Sequence, residues 1–188
     1  MILAFLQAQG PQIVTDAERD AQQVTRVVPI LQAMPAADLA LGGVMLVVIM
    51  LIHGASMRIV TGHVLHRTKL VALKPSEWRA DLILAGAILF LLFVHLVETG
   101  VWTTVLVHSH LIANWREAGL FAANTYTTLG YGSMALPPTW QMLAPIIAIS
   151  GLFTFGWTGS VLVDIVGRVN RLKDLAAGPP PPVQGGPA

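Results

Sequence analysis

At 188 residues, with 54% hydrophobic and 11% charged side chains and a mean hydropathy of +0.67, the chain has too few ionisable groups to clothe an ordinary soluble domain and reads as a membrane protein. Eleven Lys plus Arg against ten Asp plus Glu leave no basic excess to neutralise phosphates, so nucleic acid is excluded as an expected partner. There is no cysteine, and therefore no disulfide framework or thiolate chemistry.

Residues 1–38 carry Asp16, Glu18 and Asp20 and start on MILAFL, an apolar run too short to span that lacks a basic leader. A helix lying on the external surface is expected there, with a trimmed signal peptide as the alternative. From Leu39 to Met57 run nineteen residues without Asp, Glu, Lys or Arg, about 28 Å of helix and enough to cross. This first span, 39–57, is expected to be peripheral. A basic linker at 58–81 follows, and then Leu82 to Val107, an apolar stretch whose ionisable groups are His95 and Glu98. At about 39 Å it can cross with tilt.

From Ala118 to Val163, forty-six consecutive residues lack any charge or histidine. Gly130, Gly132, Pro137 and Pro138 interrupt the run, so only Met142 to Gly167 suits a third crossing. What precedes it is uncharged, and irregular backbone at membrane depth is tolerated only where protein buries it or where it lines a watery path. A re-entrant loop is therefore expected: about three helical turns from Glu117 to Thr127, then a strand returning outward through Thr128, Leu129, Gly130, Tyr131 and Gly132. Glycine at 130 and 132 lets alternate residues take conformations closed to other side chains, so that successive carbonyls point one way.

Eight of the eleven basic residues, Arg58, Arg67, Lys69, Lys74, Arg79, Arg168, Arg171 and Lys173, lie between the first two spans or after the third, and they are expected to be cytoplasmic. The amino terminus and the segment 108–141 are then external. This makes a multi-pass protein of the plasma membrane with a cytoplasmic carboxyl end. Residues 172–188, ending in GPPPPVQGGPA, are expected to be a disordered Pro/Gly tail.

TTLGYG between a short helix and a following span resembles the signature filter of the potassium channel pore-domain superfamily. The order of outer helix, pore helix, filter and inner helix matches too, and the pore domain is expected over 82–171. The resemblance implies a homotetramer in the bilayer, because one strand supplies a quarter of each carbonyl ring. It also implies K+ ligation by the carbonyls of Thr128, Leu129, Gly130 and Tyr131 and by the Thr128 hydroxyl, with the Leu129 and Tyr131 side chains packed away from the axis. Two positions depart from the family pattern. Ser133 and Asn124 stand where many members carry acids, so the carboxylate pair that props those filters from behind is absent.

Support for Thr127 and its neighbours is then sought elsewhere. Glu98, about 24 Å along its helix from Leu82, lies near the expected filter level, and His95 shares its face three residues earlier. Bracing of the pore helix by this pair is one reading; a Glu98 merely satisfied inside the bundle is a second, and a metal site or proton relay a third. Gly151 offers a gating hinge or close helix packing. Asp164 offers an acid ring at the inner mouth, or simply a helix-surface pair with Arg168. His53 is expected to be packed or snorkelling rather than a ligand, because no partner is near it in sequence. His108 and His110 are expected in a solvated loop, and Trp102, Trp115 and Trp140 as interfacial anchors.

The expected fold is thus an all-α membrane protein with three transmembrane helices, a re-entrant pore helix and a selectivity-filter loop. Its expected function is passive K+ transport: no enzyme and no cofactor, with K+ as the permeant ion. The alternatives are a weakly selective cation channel and a non-conducting membrane scaffold or sensor.

Overall fold

The computed structural model describes residues 36–131 and 134–178. Four α-helices occupy them in the order α1 (Ala36–Ala72), α2 (Glu77–His108), α3 (Trp115–Tyr126) and α4 (Leu143–Ala177), with one 3-10 turn at Pro138–Trp140 before α4. Three of these, α1, α2 and α4 with its preceding turn, are long and apolar enough to cross a membrane. The three expected spans fall within them. With 37, 32 and 35 residues, each helix exceeds the roughly 20 that a bilayer needs and carries turns beyond it.

Two expected boundaries move for that reason. The basic linker at 58–81 is helical except at 73–76, because Val60, Val64 and Thr68 repeat at every fourth residue, are buried, and carry α1 onward. The helix stops short of Pro75, whose ring disfavours helical backbone at Lys74. Ser76, in extended conformation, starts α2. The tail expected to be disordered over 172–188 is helical through Ala177: Leu172 is buried, and Lys173 Nζ lies 2.5 Å from Asp81 Oδ1 of α2. Residues 179–188, the expected amino-terminal surface helix up to residue 35, and Gly132 with Ser133 lie outside the described residues.

Two apolar clusters hold the helices together. One joins Ile49 of α1, Trp102 and Leu106 of α2, Ala118, Phe121 and Tyr126 of α3, and Leu143 and Ile147 of α4. The other joins Met57, Val60 and Val64 of α1 to Ala87 and Leu91 of α2 and to Ile165 and Val169 of α4. Between them, along each long helix, lies a polar level: His53 on α1, His95 and Glu98 on α2, and Ser150, Thr154 and Thr158 on α4. α1 is pinned at its start as well. Asp38, wholly buried, accepts from the Met142 backbone N–H at 2.9 Å, placing a carboxylate at the positive end of α4.

α3 begins at Asn114, whose side chain accepts from the backbone N–H groups of Arg116 (2.8 Å) and Glu117 (3.4 Å), satisfying two of the four free donors at that end. Its buried residues, Ala118, Phe121, Ala122 and Tyr126, form one stripe turned toward α2 and α4.

Candidate functional site

The TTLGYG segment starts where α3 stops. Thr127 closes the helix, with its backbone N–H 3.0 Å and its hydroxyl 2.7 Å from the Ala123 carbonyl. The next residue, Thr128, is left-handed at φ 57°, and Gly130 is left-handed at φ 65°, whereas Leu129 and Tyr131 between and after them are not. Handedness therefore alternates residue by residue. Gly130 adopts this at no steric cost, but a β-branched Thr in the left-handed region costs roughly 1–2 kcal/mol. The Asn124 carbonyl compensates in part by accepting from the backbone N–H groups of Leu129 (2.9 Å) and Gly130 (3.5 Å). Such strain persists only where surroundings enforce it, and it gathers at functional sites. Leu129 is 71% and Tyr131 80% exposed in the single chain. The Asn124 side-chain amide donates to the Tyr131 carbonyl at 2.7 Å.

Behind this segment lies the polar level. Glu98 is wholly buried, and an isolated carboxylate there would cost several kcal/mol or more. Every helix contributes to relieving it. From α1, His53 Nδ1 lies 2.8 Å from Glu98 Oε1. From α3, the Tyr126 hydroxyl donates to Glu98 Oε2. His95 Nδ1 lies 3.0 Å from the Tyr126 hydroxyl and 3.4 Å from Glu98 Oε2. From α4, the Thr158 hydroxyl lies 3.1 Å from His95 Nε2 and 3.5 Å from His53 Nε2, and the Thr154 hydroxyl lies 2.6 Å from that of Tyr126. Phe155 stacks on the His95 ring with centroids 4.4 Å apart, and Trp157 covers His53 at 5.4 Å.

The expected pairing of His95 with Glu98 is therefore present and reaches α3 through Tyr126. His53, with no partner near it in sequence, has one in Glu98, 45 residues away, so only the fold brings the two together. Tyr126, Thr154 and Thr158 were likewise unmarked. The available signal was chemical: a buried carboxylate must find donors, and the other spans offer few polar groups at that depth.

The remaining candidates separate. At Gly151 a Cβ would overlap the Tyr126 carbonyl, so this glycine is where α4 and the end of α3 meet backbone to backbone, and α4 runs through it unbroken. Asp164 Oδ2 accepts from Arg168 Nε at 2.7 Å on a part-exposed surface, far along α4 from TTLGYG. Trp102 is no interfacial anchor: it is wholly buried and donates to the Ser150 hydroxyl at 3.0 Å. Trp115 is exposed, as are His108 and His110.

Residues 82–168, which contain α2 from its second turn, α3, TTLGYG and most of α4, match a family model described as ion channel. No curated protein and no solved structure matches the chain.

Proposed function

We propose, from the ion channel family of residues 82–168, that the chain is one subunit of a homotetrameric potassium channel of the plasma membrane. Four TTLGYG segments would meet on a common axis and replace the hydration shell of K+ with the carbonyls of Thr128, Leu129, Gly130 and Tyr131 and the Thr128 hydroxyl, with Gly132 closing the run. Transport is passive: ions move in single file down their electrochemical gradient, and repulsion between neighbours keeps binding from trapping them.

The observation that carries this reading is the alternation of handedness at Thr128 and Gly130. In an ordinary strand successive carbonyls point to opposite sides; residues of alternating hand turn them to the same side, as a cage of carbonyls requires. The same left-handed Thr128 also ends α3, its backbone N–H donating to the Thr125 carbonyl and that of Leu129 to the Asn124 carbonyl. Leu129 and Tyr131, apolar or aromatic and exposed, together with the bare Leu152, Phe153 and Val163 on α4, are surfaces suited to neighbouring subunits and to lipid. In this reading α3 is a re-entrant pore helix. Glu98, His95 and His53 hold Tyr126 and so brace it from behind, in place of acids at Asn124 and Ser133. The amino terminus is external, as the clustering of basic residues directs. Gly151 is then a fixed point between pore helix and inner helix, and Asp164 lies toward the inner mouth.

The Asn124 amide gives ground for a second reading. Its hydrogen bond to the Tyr131 carbonyl competes with ion ligation by that oxygen, and a ring short of one carbonyl layer would favour a less selective cation channel. Purified protein in liposomes separates the readings. A potassium channel carries K+ or Rb+, its reversal potential follows the K+ gradient against Na+, and Gly130→Ala abolishes flux. Equal K+ and Na+ permeability establishes the second reading, and no cation flux at all refutes both.

A further inference from the structure

The polar level has a charge and proton balance that hydrogen bonding alone does not close. Five contacts tie it together: His53 Nδ1 to Glu98, His53 Nε2 to Thr158, His95 Nε2 to Thr158, His95 Nδ1 to Tyr126, and Tyr126 to Glu98. Each needs one proton. Two neutral imidazoles, one phenol and one threonine hydroxyl supply four when Glu98 is ionised, enough for all but the longest contact, His53 Nε2 to Thr158 at 3.5 Å. The two Nε2 atoms face a single hydroxyl, which can donate to one of them. The cluster also carries an uncompensated negative charge between two apolar layers.

We propose that His53, His95 and Glu98 together bind one divalent transition-metal ion of the zinc class. Their donor atoms all lie within 4.8 Å of one another, and all three residues are buried. His53 Nδ1 stands 2.8 Å from Oε1 and His95 Nδ1 3.4 Å from Oε2 of Glu98; ligands at about 2.1 Å from a tetrahedral ion stand about 3.4 Å apart, so the first pair opens by about 0.6 Å on binding. Two imidazoles and a carboxylate are a donor set that suits zinc and its neighbours and is too poor in oxygen for calcium or magnesium.

Binding also repairs the proton balance. With both Nδ1 lone pairs on the ion, each Nε2 carries its proton and donates to the Thr158 hydroxyl, whose two lone pairs accept both. The outer partners that ligating histidines and carboxylates ordinarily have are then already in place: Thr158 for both rings and the Tyr126 hydroxyl for Glu98. The ion outweighs the single carboxylate, turning the cluster's net charge from −1 to +1, and ties α1 to α2 with α3 attached through Tyr126. His95, its side chain 11% exposed, is the ligand nearest the surface. This inference rests on the cluster geometry and needs no conduction.

The test uses the full chain in detergent, stripped with a chelator and titrated calorimetrically with zinc chloride. One ion per chain and a raised melting temperature are expected. Affinity should fall by more than about a hundredfold in His53→Ala and His95→Ala, and by about tenfold in Thr158→Val, which removes an outer partner but no ligand. Absence of zinc uptake overturns the proposal and leaves an extra proton to complete the cluster. So does uptake that survives both histidine variants, which would belong to the exposed His63, His66, His108 or His110. If the ligand variants do not fold, cobalt(II) absorption of the wild-type chain decides: the intense visible bands of a four-coordinate site support the proposal, and the weak spectrum of six-coordinate cobalt overturns it.

Discussion

The Tyr126 hydroxyl at the end of α3 donates to the Glu98 carboxylate midway along α2, while one residue's length away the Tyr126 carbonyl abuts Gly151 of α4. Side chain and backbone of one residue are thus fixed by two different helices. Because Tyr126 immediately precedes TTLGYG, whatever holds it also sets where the strained segment begins. Position is linked to conformation here: Thr128 takes its left-handed backbone where it ends α3, held by the Thr125 and Asn124 carbonyls, so the start of the segment moves with α3.

Removing the hydroxyl tests this link. Tyr126→Phe keeps the ring in its apolar cluster but deprives Glu98 of a donor and His95 and Thr154 of a partner. Loss of a hydrogen bond to a charged group costs about 1.5–3 kcal/mol, and the variant is expected to melt earlier by a corresponding amount. Glu98→Ala leaves the donors of His53 and Tyr126 facing a void and should cost more, about 3–5 kcal/mol. Both should also shorten the conducting state in single-channel records. Melting and open probability unchanged in Glu98→Ala would remove the bracing role.

Gly151 and Gly159 lie on the same helix but in different surroundings. A methyl group at 151 meets the Tyr126 backbone, whereas one at 159 has nothing within 4 Å. Gly151→Ala is therefore expected to force α3 and α4 apart at a cost of about 1–3 kcal/mol and to reduce flux. Gly159→Ala should be neutral or slightly stabilising, since alanine is the better helix former. Circular dichroism melts of the two variants side by side check this. A Gly151→Ala protein that melts normally yet gates abnormally would point to a hinge rather than to packing.

Asp38 gives a prediction independent of ion conduction. Its carboxylate caps α4 across a separation of 104 residues, so Asp38→Ala should cost about 0.5–2 kcal/mol, the usual range for a lost helix cap. Asp38→Asn retains an acceptor oxygen and should lose less. Denaturation of the three proteins measures the difference; an Asp38→Ala protein as stable as wild type would mean the contact contributes nothing.

Features carried by local pattern were legible in the sequence, and features carried by long-range contact were not. Three apolar runs announced three helices, and Gly130, Gly132 and the two prolines announced the interruption between them, because backbone preference and hydropathy are properties of neighbouring residues. The pairing of His95 with Glu98 was visible as an i,i+3 spacing. His53 was not, since its partner lies on another helix and nothing in its own neighbourhood distinguishes it from a snorkelling side chain. Trp102 misled for the opposite reason: its position near the end of an apolar run suggests an interface, but Ser150 on α4 offers its N–H a buried acceptor. The reach of α1 to Ala72 was hidden because charge density marks the edge of lipid, not the end of a helix.

Under the proposed function, Asn124 bears most directly on selectivity. Its amide spends one donor on the Tyr131 carbonyl at 2.7 Å, and that oxygen cannot at the same time face an ion on the axis with its full lone-pair density. In the proposed tetramer a carbonyl held from behind would weaken one ion site in each subunit, and one substitution would change four ligands at once. Asn124→Ala releases the oxygen while leaving the Asn124 backbone carbonyl, which accepts from Leu129 and Gly130, in place. The expected outcome is a higher ratio of K+ to Na+ permeability in reversal-potential measurements on liposome-reconstituted protein. The methyl side chain leaves a small gap behind Tyr131, so a modest loss of thermal stability, about 1 kcal/mol for one hydrogen bond, should accompany it. A permeability ratio unchanged from wild type would mean that the amide does not compete with the ion, and that selectivity is set below Tyr131, at the rings of Thr128, Leu129 and Gly130.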